Sequence, residues 1–214
     1  MKPANWNEFI DAPPCTALQQ GGVEDRSFIS TEISLRELDG ITLLRLRSLQ
    51  EFIALESSMA ACGIVLPAKV NERSGQDPVA LCQAPRDWLL FSGRISAKQL
   101  LEQMQPALHV QHTIALDLSS ALATFRLSGT AAPWVLSKLC GLDLHAGIRI
   151  AAHTARTRLQ HAAVTLHYHA LDGPASMPVF DLIFDRAYAV YLWQLLIASV
   201  PHAEQLTRLY GARP

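Results

Sequence analysis

From Ile41 to Arg47 the chain turns from apolar to alternating: Leu44 and Leu46 interleave with Arg45 and Arg47. Side chains of a strand point to opposite faces in turn, so this period predicts a half-buried strand. Directly after it, Phe52, Leu55, Met59 and Cys62 recur at the spacing of one helix face. Ser48 and Glu51 stand three apart before that run and predict a capping box, with Gly63 and Pro67 as the stop. Residues 79–83 and 88–91 read as two strands joined through Pro85, because proline lacks the donor that a central ladder needs. Ser96 and Gln99 predict a second capping box, opening a helix to about residue 105. Residues 113–118 and 122–127 read as a hairpin about Ser119-Ser120-Ala121. Thr130 is the expected cap of a helix to Leu139, with Pro133 in its first turn and Gly141 at its end. Residues 149–159, 162–168 and 178–184 read as strands, and Asp185 as the cap of a final helix over 186–200.

Strand runs with apparent hairpins, broken by amphipathic helices, predict an α+β fold of mixed, mostly antiparallel sheets with packed helices. Residues 1–30 hold Pro3, Pro13, Pro14, Gly21 and Gly22 without any period, and read as a tail or a partner-contacting arm. A first α+β half is expected over 31–110 and a second over 111–204, split near residues 106–112, with a C-terminal tail over 205–214.

Half of the 214 residues are hydrophobic and only 17% are charged, where globular domains usually carry about a quarter. A neutral, Ala- and Gln-rich surface and a surface covered by a partner both fit that deficit. Eighteen basic residues nearly balance nineteen acidic ones, and no basic helix face or aromatic ladder stands out. Nucleic acid and anionic membrane are therefore not expected partners. The start, MKPANWNEF, lacks the apolar run of a signal peptide, and the apolar stretch near 187–200 is short and broken by Gln194. A cytoplasmic protein is expected. Cys15, Cys62, Cys82 and Cys140 are widely spaced, which favours free thiols over disulfides, zinc or an iron–sulfur cluster.

Among candidate sites the histidines come first. His161, His167 and His169 share one parity, and Ala162, Val164, Leu166 and Tyr168 the other. One face of that strand is thus apolar and the other carries histidines. His167 and His169 have the i, i+2 spacing of a metal pair, but no neighbouring carboxylate or cysteine completes a set. A wet or partner-facing sheet surface is the favoured reading. Ser128-Gly129 lies between a strand and a helix, as in a nucleophile elbow, yet Arg126 stands where that motif needs glycine. Gly21-Gly22 leads into no phosphate-binding helix with a lysine and hydroxyl after it. Asp117, Asp143, Asp181 and Asp185 are the acid/base candidates; the parity of Asp181 against Phe180, Leu182 and Phe184 puts it on a polar face, not in a pocket. In the last helix Tyr188, Tyr191, Leu192, Trp193, Leu196 and Val200 leave little polar face, which fits a core helix, a subunit interface, or both.

The strings Leu127-Ser128-Gly129-Thr130-Ala131, Val135 to His145 (with Cys140, Leu142, Asp143 and His145), Ala155 to Leu159 and Phe180 to Trp193 resemble the gamma subunit of heterotetrameric sarcosine oxidase. Ala84-Pro85-Arg86-Asp87-Trp88-Leu89-Leu90 is similar to that family's Pro, acidic residue, Trp, Leu, Leu pattern. The resemblance spans about residues 30–200. It implies a fold like the folate-binding domain of aminomethyltransferases. It implies a non-catalytic structural subunit of a flavoenzyme complex that oxidatively demethylates sarcosine, with alpha, beta and delta subunits as partners. The parent complex would use FAD, FMN, NAD and tetrahydrofolate, all held outside this chain. No catalytic, cofactor or metal residue is expected here. Trp88, Cys140, Leu142, Asp143, His145, Asp181, Tyr188, Tyr191 and Trp193 are the structural or interface candidates, with Cys140 as a buried inert thiol. A free-standing folate-binding protein of the aminomethyltransferase type, and a structural or regulatory domain with no oxidase partner, are the alternatives.

Overall fold

A computed structural model describes residues 16–49, 51–110, 112–144, 154–169 and 177–211. Among them two antiparallel sheets lie face to face, each backed by helices. Sheet A runs in the order β1 (Ser27–Ile29), β2 (Ser34–Glu37), β8 (Leu122–Ser128), β11 (Val179–Asp185), β10 (Ala162–His169), β9 (Thr154–Leu159). Sheet B runs β4 (Arg73–Ser74), β5 (Val79–Ala84), β6 (Asp87–Ser92), β3 (Thr42–Ser48), β7 (Thr113–Asp117).

The alternation along each strand decides what the two faces meet. Phe125, Leu127, Phe180, Leu182 and Phe184 of sheet A pack on α4 (Ala132–Leu139) and α5 (Ala189–Tyr210). Leu44, Leu46, Trp88 and Leu90 of sheet B pack on α2 (Phe52–Ala61) and α3 (Ala97–Val110). Between the sheets, Leu43, Val79, Leu81, Leu89 and Phe91 close on Ile183. The Gln83 amide also crosses there, donating to Thr165 Oγ1 at 3.1 Å. The order is helices, sheet, sheet, helices.

Several local expectations change. Residues 113–127 form no hairpin: β7 pairs with β3 at the edge of sheet B, and β8 pairs with β2 and β11 in sheet A. The turn at 118–121 carries the chain from one sheet to the other. Ser48 ends β3 opposite Thr113, whose hydroxyl donates to it at 2.8 Å; Glu51, not Ser48, stands at the cap position of α2, without a side-chain cap. The Ser96–Gln99 box forms, with Gln99 N donating to Ser96 Oγ at 3.3 Å and Ser96 N to Gln99 Oε1 at 3.1 Å. Thr130 caps no helix; its hydroxyl points to Glu32, and Ala131 precedes α4.

The expected N-terminal tail contains structure from residue 16 onward. Helix α1 (Ala17–Gln20) carries its own capping box between Thr16 and Gln19. The buried Glu37 carboxylate accepts from Ala17 N at 2.8 Å and Leu18 N at 3.3 Å, satisfying donors that the helix start leaves open. Asp185 caps a 3₁₀ turn over Arg186–Tyr188 by accepting from Ala187 N at 2.9 Å, and α5 begins only after it. Helix α5 passes Pro201 and reaches Tyr210, through most of the expected C-terminal tail. The two expected halves also interlock: β2 of the first lies in sheet A, and β7 of the second lies in sheet B. Residues 149–153 of an expected strand and residues 1–15 of the expected tail lie outside the described residues.

Candidate functional site

Register, more than sequence distance, builds the polar cluster of this protein. Arg36, Arg126, Asp181, His167 and Thr154 occupy one row across β2, β8, β11, β10 and β9. All five belong to the face that does not pack on α4 and α5. Sequence parity assigns Asp181, His167 and His169 to that face correctly, but the reading of it as wet fails for two of them. Sheet B covers this face, so Asp181 and His167 are both 0% exposed. Phe91 of β6 sits edge-on to the His167 ring, with centroids 6.2 Å apart. His169, nearer the strand end, is half-buried, and His161 lies exposed in the β9–β10 turn.

Asp181 is held from two sides. Arg126 Nε donates to Oδ1 at 2.7 Å and Arg126 Nη2 to Oδ2 at 2.8 Å, a bidentate pair that matches the two planar groups. His169 Nε2 lies 2.6 Å from Oδ2 and donates to it, since an ionised carboxylate only accepts. Burial pushes the Asp181 carboxyl up, but the bonds from Arg126 and His169 together outweigh it and bring it to about 2. His167 differs. Its Nδ1 is 3.9 Å from Asp181 Oδ2, beyond hydrogen-bond reach, and neither ring nitrogen has a partner. Burial first, and the neighbouring His169 second, push His167 down to about 3, so it is neutral at pH 7.

Two imidazoles and a carboxylate therefore meet in one place: one ligand atom each from His167, His169 and Asp181 all lie within 4.8 Å of one another. The carboxylate missing beside the His167–His169 pair in sequence comes from β11, opposite His167 in register. The spacing His-x-His was visible; the strand pairing that supplies Asp181 was not.

The other candidates disperse. Trp88 is buried in the sheet B core, donating from Nε1 to Pro67 O at 2.9 Å. Cys140 is half-buried, not fully enclosed, and burial raises its thiol, which keeps it protonated and inert. Leu142 packs partly on the sheet A core, Asp143 is exposed, and His145 lies outside the described residues. Asp117 accepts from Ser119 N and Oγ at 2.9 and 2.6 Å in an exposed turn, so it and Asp185 serve local backbone, away from Asp181. Helix α5 divides: Trp193 is buried with its ring 5.4 Å from Phe125, while Tyr188 and Tyr191 are 41% and 38% exposed. Gly129 turns β8 into α4 with φ 122°, and a Cβ there would collide with the Glu32 carbonyl. Sequence reading missed Glu37, a buried carboxylate whose partners at Ala17 and Leu18 lie twenty residues upstream.

The architecture places the chain in a class of two-sheet α+β domains that aminomethyltransferases share. It is similar in fold to aminomethyltransferase T of the glycine cleavage system from Bartonella henselae, with a TM-score of 0.55 and 13% identity over 78% of this chain and 45% of that one. A chain of the heterotetrameric sarcosine oxidase from Corynebacterium sp. U-96, solved with pyrrole 2-carboxylate, is similar at a TM-score of 0.71 and 26% identity, covering 91% of this chain and 96% of that one. In sequence the chain resembles sarcosine oxidase subunit gamma from Corynebacterium sp. (strain U-96), 36% identical over 115 residues, or 53% of this chain and 55% of the relative. It also resembles the subunit gamma from Arthrobacter sp., 31% identical over 115 residues, or 53% and 56%. The chain spans about half the length of the curated relatives it matches. No protein-family model matches it. Among the described residues no helix is long and apolar enough to cross a membrane.

Proposed function

We infer that this chain is a structural, non-catalytic subunit of a sarcosine-oxidase-like flavoenzyme complex, occupying the place of the gamma subunit. The observation that carries this reading is the agreement in fold with a chain of heterotetrameric sarcosine oxidase across nearly the whole of both chains. In that role its partners are alpha, beta and delta subunits, which hold FAD, FMN, NAD and tetrahydrofolate, and the complex is cytoplasmic and acts on sarcosine.

The surface supports a subunit role. Edge strand β7 leaves Ile114 72% and Leu116 55% exposed, and Leu49 beside its start is 82% exposed. By register with Arg47 and Arg45, Ile114 and Leu116 lie on the face that sheet A covers elsewhere in sheet B. Contiguous apolar surface of this kind marks an interaction site more often than a free face. Tyr188 and Tyr191 add aromatic rings with a polar end, a composition that interfaces favour.

Gentle purification of the tagged chain from its own host, followed by native mass spectrometry, tests the reading. Co-purification with larger subunits and a flavin absorbance is expected. Recovery of the chain alone at natural expression levels overturns it; a tetrahydrofolate titration of the isolated chain then tests the free-standing folate-binding alternative.

A further inference from the structure

We propose that His167, His169 and Asp181 form a binding site for one divalent transition-metal ion of the zinc class, with the Arg126 guanidinium as the cation that competes for it. Ligand atoms around a tetrahedral zinc ion lie roughly 3.3 Å apart, given bonds of about 2.0–2.1 Å. The observed separations bracket that value: His169 Nε2 to Asp181 Oδ2 is 2.6 Å, and His167 Nδ1 to the same oxygen is 3.9 Å.

The second observation is the orphaned imidazole. His167 is fully buried, and both its ring nitrogens lack a hydrogen-bond partner. A buried polar group without a partner is costly, and native proteins rarely leave one. Coordination of an ion by Nδ1 gives one of its two nitrogens a partner. Binding through Nδ1 needs only the Nε2–H tautomer of His167, while His169 must move its proton from Nε2, where it faces Asp181, to Nδ1. Two imidazoles and one carboxylate form a donor set suited to zinc and its neighbours. The His169 side chain is 26% exposed, so the cluster borders solvent on that side.

Arg126 sets the strength of the site. It holds both oxygens of Asp181, and its Nη2 stands 3.3 Å from His169 Nε2. An incoming ion must take Oδ2 from Nη2, leaving Nε on Oδ1. Ion and guanidinium then repel each other at close range in a buried setting, with Arg73 adding a further positive charge near His167. The wild-type site is accordingly a weak one that Arg126 restrains.

The test uses the purified full-length chain, stripped with a chelator and titrated with Zn²⁺ and with Co²⁺ as a spectroscopic stand-in. One Co²⁺ per chain with the intense visible absorption of a four-coordinate ion is expected. Zinc-soaked crystals should show an anomalous peak about 2.0–2.2 Å from His169 Nε2, Asp181 Oδ2 and a ring nitrogen of His167. His169→Gln should weaken binding by at least about tenfold, and Arg126→Gln should tighten it by about tenfold or more. An ordered water at this position with no anomalous peak overturns the proposal, as does a peak on other histidines such as His161 or His202. So does an Arg126→Gln chain, folded by circular dichroism, that gains no affinity. The wild-type anomalous map decides the question by itself if a variant does not fold.

Discussion

At the scale of single residues, the cluster under sheet B links stability to acidity in two overlapping windows. His167 has a folded value near 3, below its ordinary 6.5, so the unfolded chain takes up its proton first. Stability is therefore complete above pH about 6.5 and falls as pH drops from there toward 3. Asp181 also has a depressed value, near 2 against an ordinary 3.8; its contribution is present above about 3.8 and is lost as pH falls through 2. Urea midpoints measured in the presence of chelator should fall continuously from pH about 6.5 to 3, and more steeply below about 3.8, where Asp181 adds to the slope. His167→Leu should remove the upper slope and leave stability at pH 7 unchanged or higher, because an unpartnered imidazole is replaced by a hydrocarbon. A retained upper slope in that variant assigns it to another group. Asp181→Asn should cost about 3–5 kcal/mol at pH 7, since it leaves Arg126 with a partner that no longer carries charge.

Between residues and the whole, the element scale shows what period can and cannot reveal. Alternation along β10 and β11 placed every side chain on its correct face, because that follows from strand geometry alone. What lay against each face was not in the pattern: a second sheet, which turned an expected wet surface into a buried one. Capping followed the same division. Ser96–Gln99 formed, whereas Ser48, at the same spacing from Glu51, ends β3 and pairs with Thr113 of another strand. Helix α5 gives a direct test of core against surface. Trp193→Ala should lower stability by about 3–5 kcal/mol. Tyr191→Ala should change it by less than about 0.5 kcal/mol in the isolated chain, while weakening capture of partner subunits. Equal stability losses in both would remove Tyr191 from the interface argument. Gly129→Ala should cost more than the ~1 kcal/mol typical of a substitution, because its φ is positive and the Glu32 carbonyl blocks a Cβ.

At the scale of the whole molecule, the division of the chain into two consecutive halves does not survive the topology. Sheet A draws β1 and β2 from before sheet B and β8 to β11 from after it, and β7 belongs to sheet B although it follows α3. A cut near residues 106–112 removes an edge strand from one sheet and two strands from the other. Fragments ending or starting there should not fold separately; sharp, dispersed amide spectra from either one would contradict this. The fold class was legible because strands and helices alternate clearly. The interleaving was not, since hydrophobic period says nothing about which strands pair.

The exposed flank of β7 has a consequence for the cell that makes this chain. Among the described residues β7 pairs only with β3, and its five residues carry neither a lysine nor a proline to discourage further strand addition. A free copy thus offers an open template for clumping with its neighbours. A cell that makes more of the chain than of any partner for that flank should therefore lose the surplus to aggregation or proteolysis.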